Sequence, residues 1–295
     1  MVEGEIRLWG SPADRDLIED WERGFRQFHP QTGVTTRLHG PESTLAGVYT
    51  GVADLALMAR EMRRGPEHMA FEWARLHKPF LVEVAGAGIG TERPASCLAV
   101  VVHRDNPLAQ LSLAQLAAVF GGNPALGRPI RTWGELGLTG PWAEKPVRAY
   151  GPRADDVAAI YFRTAVLGDS WKWNPELREL ESPRQLLAAI EQDPLGIAFT
   201  PWRDGFSAIK QLRLAARPEG PFVPLAAATV ADRSYPLART VSLVMDCPPG
   251  TSPAPLVREF VRYILSREGQ EAVARDGAYT PLTAERANRE AGRLP

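Results

Sequence analysis

The sequence predicts an α/β fold, on three observations. Short apolar runs of strand length alternate with amphipathic runs of helical spacing, the turns from strand to helix carry cap residues, and no internal repeat or low-complexity tract interrupts the alternation. The opening unit sets the pattern. Residues 6–9 read as a strand, Gly10 as a turn, and Ser11-Pro12-Ala13-Asp14 as a helix start, with Ser11 as N-cap, Pro12 at the first helical position and Asp14 completing a capping box. Leu17, Ile18, Trp21, Phe25 and Phe28 then recur at helical spacing until His29-Pro30 stops them.

The same grammar continues along the chain. Residues 34–38 read as a strand, Gly40-Pro41-Glu42-Ser43-Thr44 as a loop, 45–49 as a short helix and 54–58 as the next strand. Residues 98–102 form a fully apolar strand, and 112–120 a helix capped by Ser112 and ended at Gly121-Gly122. Residues 147–150 feed a loop over 151–156 and then a helix with Val157, Ile160, Tyr161 and Ala165 on one face. Ser182-Pro183 repeats the cap chemistry ahead of Leu186, Leu187 and Ile190; strands follow at 197–199 and 243–245, and helices over 256–265 and 266–275, the last ended at Gly277. The Pro- and Gly-rich stretches 121–146 and 217–224 read as surface excursions.

Composition narrows the function. A chain of 295 residues supports one large domain or two, with hydrophobic cores that need no metal or disulfide staple. Lys and Arg total 34 against 35 Asp and Glu, a net charge of −1, and no basic stripe is present, so a nucleic-acid partner is not expected. No apolar run reaches the length of about 18 residues that a bilayer span requires. The first residues run directly into a strand with no basic n-region or apolar h-region, so the reading is either a cytoplasmic protein or one whose export signal has been removed. Cys97 and Cys247 lie in no CxxC or metal-ligand cluster and are read as two buried thiols or as one disulfide.

Enzyme and metal chemistry find little support. The five histidines lack HxxxH or HExxH spacing, so no metal site is predicted. Gly86-Ala87-Gly88-Ile89-Gly90 follows a strand-like 81–84 but lacks the third fingerprint glycine and soon meets Pro94, so no dinucleotide cofactor is expected. There is no GxSxG elbow or Walker A loop; triad residues can assemble from distant positions, but none is assigned. What remains is three strand-to-helix turns: Gly10-Ser11, Ser43-Thr44 and 151–156. Ligands of open α/β sheets bind beyond the carboxyl ends of strands, where helix N-termini offer N–H groups and a positive dipole end. Each hydroxyl alone is an ordinary cap, and the three turns together make an anion cradle. Trp9, beside the first turn, is the best placed of eight tryptophans to stack on a ligand; the others read mostly as packing.

The order of motifs adds a resemblance. Gly10-Ser11, WERGFRQFHP (21–30), 40–44, GVADLA (51–56) leading to MAREM (58–62), LAVVVHRDNP (98–107), LAQLAAVFG (113–121), TWGELGLTGPW (132–142), Tyr235-Pro236-Leu237-Ala238-Arg239, FVRYILSREGQ (260–270) and 279–282 follow one another over nearly the whole chain. In that order they resemble the phosphate-binding proteins of ABC importers, which have the type II periplasmic binding protein fold. The resemblance implies two α/β lobes joined by two crossover strands, with 1–104 and 239–295 as lobe 1 and 105–238 as lobe 2. It also implies a ligand in the interlobe cleft with hinge closure on binding. A periplasmic or other extracytoplasmic location, a membrane permease as partner, a monomeric state, and neither catalysis nor a cofactor are implied with it.

Residue by residue, Ser11, Ser43 and Thr44 match the family's anion-holding hydroxyls, and Arg60 matches the arginine of a subgroup. Arg153 and Asp156 complete the expected set from the second lobe. In the family a carboxylate accepts the proton of a protonated oxyanion and so favours phosphate over sulfate. This chain departs at the second-lobe loop, where Arg followed by Ser-Gly-Thr is replaced by Pro152-Arg153-Ala154-Asp155-Asp156-Val157-Ala158. Pro41 and Glu42 stand where small residues are usual, and Ala59 where a serine is. Glu42, Asp155 and Asp156 beside an anion would cost roughly several kcal/mol if dry and unpaired, whereas acids in a helix's first turn need no ligand at all. The expected ligand is phosphate or another oxyanion; the alternatives are a different solute (cationic, zwitterionic or polyhydroxy) or a sensory or partner-binding protein without tight solute binding.

Overall fold

A computed structural model of the chain describes residues 2–40, 43–91 and 96–295; Pro41, Glu42 and Pro94 lie outside the described residues. Along the chain run β1 (Gly4–Gly10), α1 (Arg15–Phe28), β2 (Thr32–Leu38), α2 (Thr44–Tyr49), β3 (Leu55–Met58), α3 (Met69–Arg75), β4 (Phe80–Gly86) and β5 (Leu98–His103). Then come β6 (Gln110–Ser112), α4 (Leu113–Phe120), β7 (Arg148–Pro152), α5 (Val157–Val166), β8 (Arg178–Leu180), α6 (Pro183–Gln192), β9 (Gly196–Pro201), β10 (Ile209–Gln211) and β11 (Arg213–Ala215). The chain closes with α7 (Ala227–Ala231), β12 (Thr240–Met245), α8 (Pro255–Leu265), α9 (Arg267–Asp276) and α10 (Ala284–Arg293).

These elements divide into two units. The first holds the chain up to Gly88 together with Arg239–Pro295; the second holds Ser96–Ala238 with Ile89–Thr91. β5 is wholly buried and pairs with β9 and β10 of the second unit, so the first change of unit comes before it rather than near residue 104.

The first unit is built on a sheet of order β2-β1-β3-β12-β4. β1 lies parallel to both β2 and β3, and β12 runs antiparallel to β3 and β4. The chain leaves β1 through α1 to reach β2 on one side and returns through α2 to β3 on the other. The order therefore reverses beside β1, and the carboxyl ends of β1 and β3 form the switch point at which such sheets take ligands. β1 buries Ile6 and Leu8 on alternate positions, and α1 buries Leu17, Ile18, Trp21 and Phe25, with the Trp21 indole N–H donating to the Gly269 carbonyl at 3.0 Å. Phe28 departs from the expected core face: at the last helical position its ring leans on Tyr263 and is 56% exposed. Trp9 packs flat on α2 because Gly47 has no side chain; a Cβ there would lie 2.5 Å from the indole.

The Ser11 cap also differs from the expected box. Ser11 accepts from the Ala13 N–H at 3.3 Å over a single 3-10 turn, Pro12–Asp14, while the buried Asp14 carboxylate accepts from the Tyr279 hydroxyl at 2.6 Å. α10, capped by Thr283, lies along the outer edge of β4: Glu290 accepts the Glu83 N–H at 3.1 Å, Arg293 donates to the Leu81 carbonyl at 3.3 Å, and Thr280 bridges Gly86.

The second unit has a sheet of order β10-β5-β9-β7-β8, in which β7 is parallel to β8 and β9 and β5 is antiparallel to β9; β6 and β11 pair as a separate two-stranded ribbon. Its core is aromatic. Phe162 stacks on Phe199 with centroids 3.8 Å apart, and Phe120 meets both rings edge-on at 5.3 and 5.1 Å. That stack turns α5 so that Ala158, Ala159, Phe162 and Val166 are buried, one residue out of phase with the face expected from Val157, Ile160, Tyr161 and Ala165. Gly151, next to last in β7, lies against the Phe199 ring, where a Cβ would come within 2.7 Å. The capping box of α4 forms, Ser112 with Gln115. The stretch 121–146 is more than a surface excursion, since it delivers Trp133 and Leu136 to the interior. Cys97 and Cys247 are buried thiols that form no disulfide, one in each unit.

Candidate ligand-binding residues

Ser11 and Arg60 leave the first sheet at the same end. β1 and β3 are neighbours in parallel register (Leu8 with Leu55, Trp9 with Ala56), Ser11 follows β1 by one residue and Arg60 follows β3 by two. The loop before α2 is strung back to the same place, because the Gly40 N–H donates to the Gly10 carbonyl at 3.3 Å. Thr44, 1% exposed, donates its hydroxyl proton to the Gly40 carbonyl at 2.8 Å, and Ser43 reaches that carbonyl at 3.4 Å. Neither hydroxyl caps α2, and among the described residues no side chain closes its first turn. Within that turn the Ala46 N–H donates to the Ser43 carbonyl at 3.0 Å.

Arg60 is the most constrained of the predicted residues. Its side chain is 2% exposed and grips Glu67 as a fork: Nη1 donates to Oε2 at 2.9 Å and Nη2 to Oε1, with a further bond from Nη1 to the Glu61 carbonyl at 3.1 Å. Glu67 stands on a one-turn π-helix, Arg64–His68, where its Oε2 also accepts the Arg63 N–H at 2.8 Å. The adjacent Glu61 holds a second buried cation. Arg239, 1% exposed, donates to it from Nε at 3.1 Å and from Nη2 at 2.8 Å. The sequence reading missed Glu61, Glu67 and Arg239 as partners. Arg239 sat inside a quoted motif, but nothing in spacing alone links it to Glu61, 178 positions away.

The second unit treats its candidates differently. Arg153 and Asp155 pair with each other at 3.2 Å, with side chains 59% and 75% exposed. The hydrogen bond from Arg153, and then its charge, holds the Asp155 carboxyl below the usual carboxylate range; the same contact raises the Arg153 guanidinium. Asp156 is the N-cap of α5, accepting the Ala158 N–H at 2.7 Å. Its carboxylate therefore has a structural partner whether or not a ligand is present. Among the described residues no group of three or more His, Cys, Asp or Glu is arranged to hold a metal, and no helix is long and apolar enough to cross a membrane.

A sequence profile described as the PBP superfamily domain matches residues 2–268. The chain is 29% identical over 298 residues to the phosphate-binding protein PstS of Pseudomonas aeruginosa, covering 99% of this chain and 88% of that one. Among solved structures, PstS from Borrelia burgdorferi superposes with a TM-score of 0.65 at 12% identity, over 95% of this chain and all (100%) of that one. An ABC-type phosphate transport receptor from Vibrio cholerae gives a TM-score of 0.60 at 17% identity, over 93% and 98% of the two chains. At those identities the structures speak to the fold, a mixed α/β architecture of the type II periplasmic binding class.

Proposed function

This chain belongs to the PBP superfamily, the periplasmic binding proteins, and on that premise we propose that it is the phosphate-binding component of an ABC importer. The observation that carries the reading is the alignment with a phosphate-binding protein over 298 residues, which runs through both units. The protein binds its solute without turning it over, works outside the cytoplasm, acts as a monomer and delivers phosphate to a membrane permease.

In this reading the first unit holds phosphate through Ser11, through Ser43 and Thr44, whose hydroxyls turn from the Gly40 carbonyl to the anion, and through the Arg60 guanidinium. In the second unit the candidates for the same role are Arg153 and the start of α5, which Asp156 caps. Hydrogen bonds from backbone N–H groups and a guanidinium to an oxyanion are charge-assisted, about twice as strong as neutral ones, which offsets the missing Ser-Gly-Thr clamp.

A thermal-shift titration in phosphate-free buffer tests it, with phosphate, sulfate, molybdate, amino acids, polyamines and sugars as arms. Phosphate at a hundredfold excess over its Kd is expected to stabilise the protein by about 2.7 kcal/mol. A flat phosphate response beside a clear response to another solute would overturn the assignment. Turnover in a general hydrolase screen would overturn the non-catalytic part of it.

A further inference from the structure

Arg60 presents a difficulty for any anion that would use it. A guanidinium binds an oxyanion best through two parallel N–H donors, and Glu67 already occupies the Nη1 and Nη2 donors in that manner. The pair is 2% and 13% exposed, so the positive charge is neutralised at short range and largely away from water. We propose, building on the phosphate-binding reading above, that Glu67 is an internal competitor that sets the affinity of the site: its carboxylate holds the Arg60 fork in the unliganded protein, and phosphate binds by displacing it.

The two sides of the pair are supported unequally, which decides the member that moves. Arg60 lies two residues beyond β3, in the interior of the sheet, and the next residue, Glu61, is anchored by two donors of the buried Arg239. Glu67 stands on one π-helical turn, a rare form, at the head of α3, and the other described contact of its carboxylate is the nearby Arg63 N–H. Displacement therefore moves the carboxylate and leaves the arginine in place. One anion replaces another, so Arg60 stays paired throughout. What changes is the requirement on the ligand. It must present at least two acceptor oxygens to match the bidentate bond it breaks, which admits phosphate and rejects chloride.

The test is isothermal titration of the full chain with inorganic phosphate, using the wild type, Glu67→Gln, Glu67→Asp, Arg60→Ala and the double variant Arg60→Ala/Glu67→Gln. Removing the competing charge in Glu67→Gln is expected to tighten phosphate binding about tenfold, roughly the worth of one charge-assisted hydrogen bond. Glu67→Asp, which withdraws the carboxylate by one methylene, shifts affinity in the same direction by less and serves if the Gln variant folds poorly. The double variant is expected to match Arg60→Ala, because without Arg60 there is nothing to compete for. Weaker or unchanged binding in Glu67→Gln and Glu67→Asp, with the wild type binding normally, overturns the competitor role and makes Glu67 a positioning residue. A flat titration in every protein overturns the phosphate reading itself, and this inference with it.

Discussion

Both candidate arginines face a carboxylate from their own unit, and they do so in opposite ways. Arg60 reaches seven residues along the chain to Glu67 through a helical turn, almost fully enclosed; Arg153 meets Asp155 two residues on, in open solvent. The buried pair gives up hydration on both sides and recovers it only in good geometry, so it fixes where the guanidinium sits. The exposed pair is screened and exchanges readily with water. The first unit therefore presets its candidate arginine, and the second leaves its own adaptable.

The largest effect that would break this contrast concerns the buried network behind Arg60. Arg239→Ala leaves the Glu61 carboxylate without its two donors and is expected to lower stability by about 2–3 kcal/mol, read from the midpoint of urea unfolding. A loss below about 0.5 kcal/mol, the range of an ordinary surface change, would mean that the first unit is not preset. Next in size, Arg60→Ala is expected to weaken phosphate binding by about 1.5–3 kcal/mol in calorimetry, the usual worth of hydrogen bonds to a charged group. An unchanged affinity removes Arg60 from the site.

Smaller effects sharpen the other half. Asp156→Ala removes the α5 cap and is expected to cost about 1 kcal/mol of stability, with Asp156→Ser restoring most of it because a hydroxyl also caps. Full restoration of stability with lost phosphate binding would assign Asp156 to the ligand rather than to the helix. The smallest change is Asp155→Asn, which should leave the melting temperature at neutral pH unmoved. The Asp155 carboxyl is held low by Arg153, so whatever it contributes is present above its unfolded pKa of about 3.9 and lost as the pH falls through its lower folded value. An NMR titration of that carboxyl that shows an ordinary or raised midpoint would contradict the pairing.

Much of the fold was legible because its signals are local. Ser112 caps α4 as expected, in a box with Gln115, Ser182 caps α6, and Gly277 ends α9 in the left-handed region at φ 68°. The misses share a cause, which is that tertiary contacts decide them. Periodicity placed the core face of α5 one residue off because the Phe162–Phe199 stack, between residues 37 apart in sequence, sets its rotation. α10 carried no apolar stripe to find, burying only Ala287 and Glu290. At the candidate site the sequence could single out the hydroxyls and arginines that follow strands of the two sheets. It could not single out their partners. Thr44 bonds a loop carbonyl, Arg60 meets Glu67 through the π-helical turn, and Arg239 meets Glu61 because β3 and β12 lie side by side.

The placement of α10 bears on how the chain behaves in company. β4 is the last strand of its sheet, and a bare outer strand is a template on which another chain can add its own. Here the vacant donors and acceptors are answered by side chains and by a single bridge: Glu83 by Glu290, Leu81 by Arg293, Gly86 by Thr280. A polypeptide cut just before Ala284 would lose two of those three covers while keeping every strand. That shortened polypeptide is expected to associate through β4 as its concentration rises in size-exclusion chromatography, while the full chain does not; equal behaviour of the two would deny α10 this covering role.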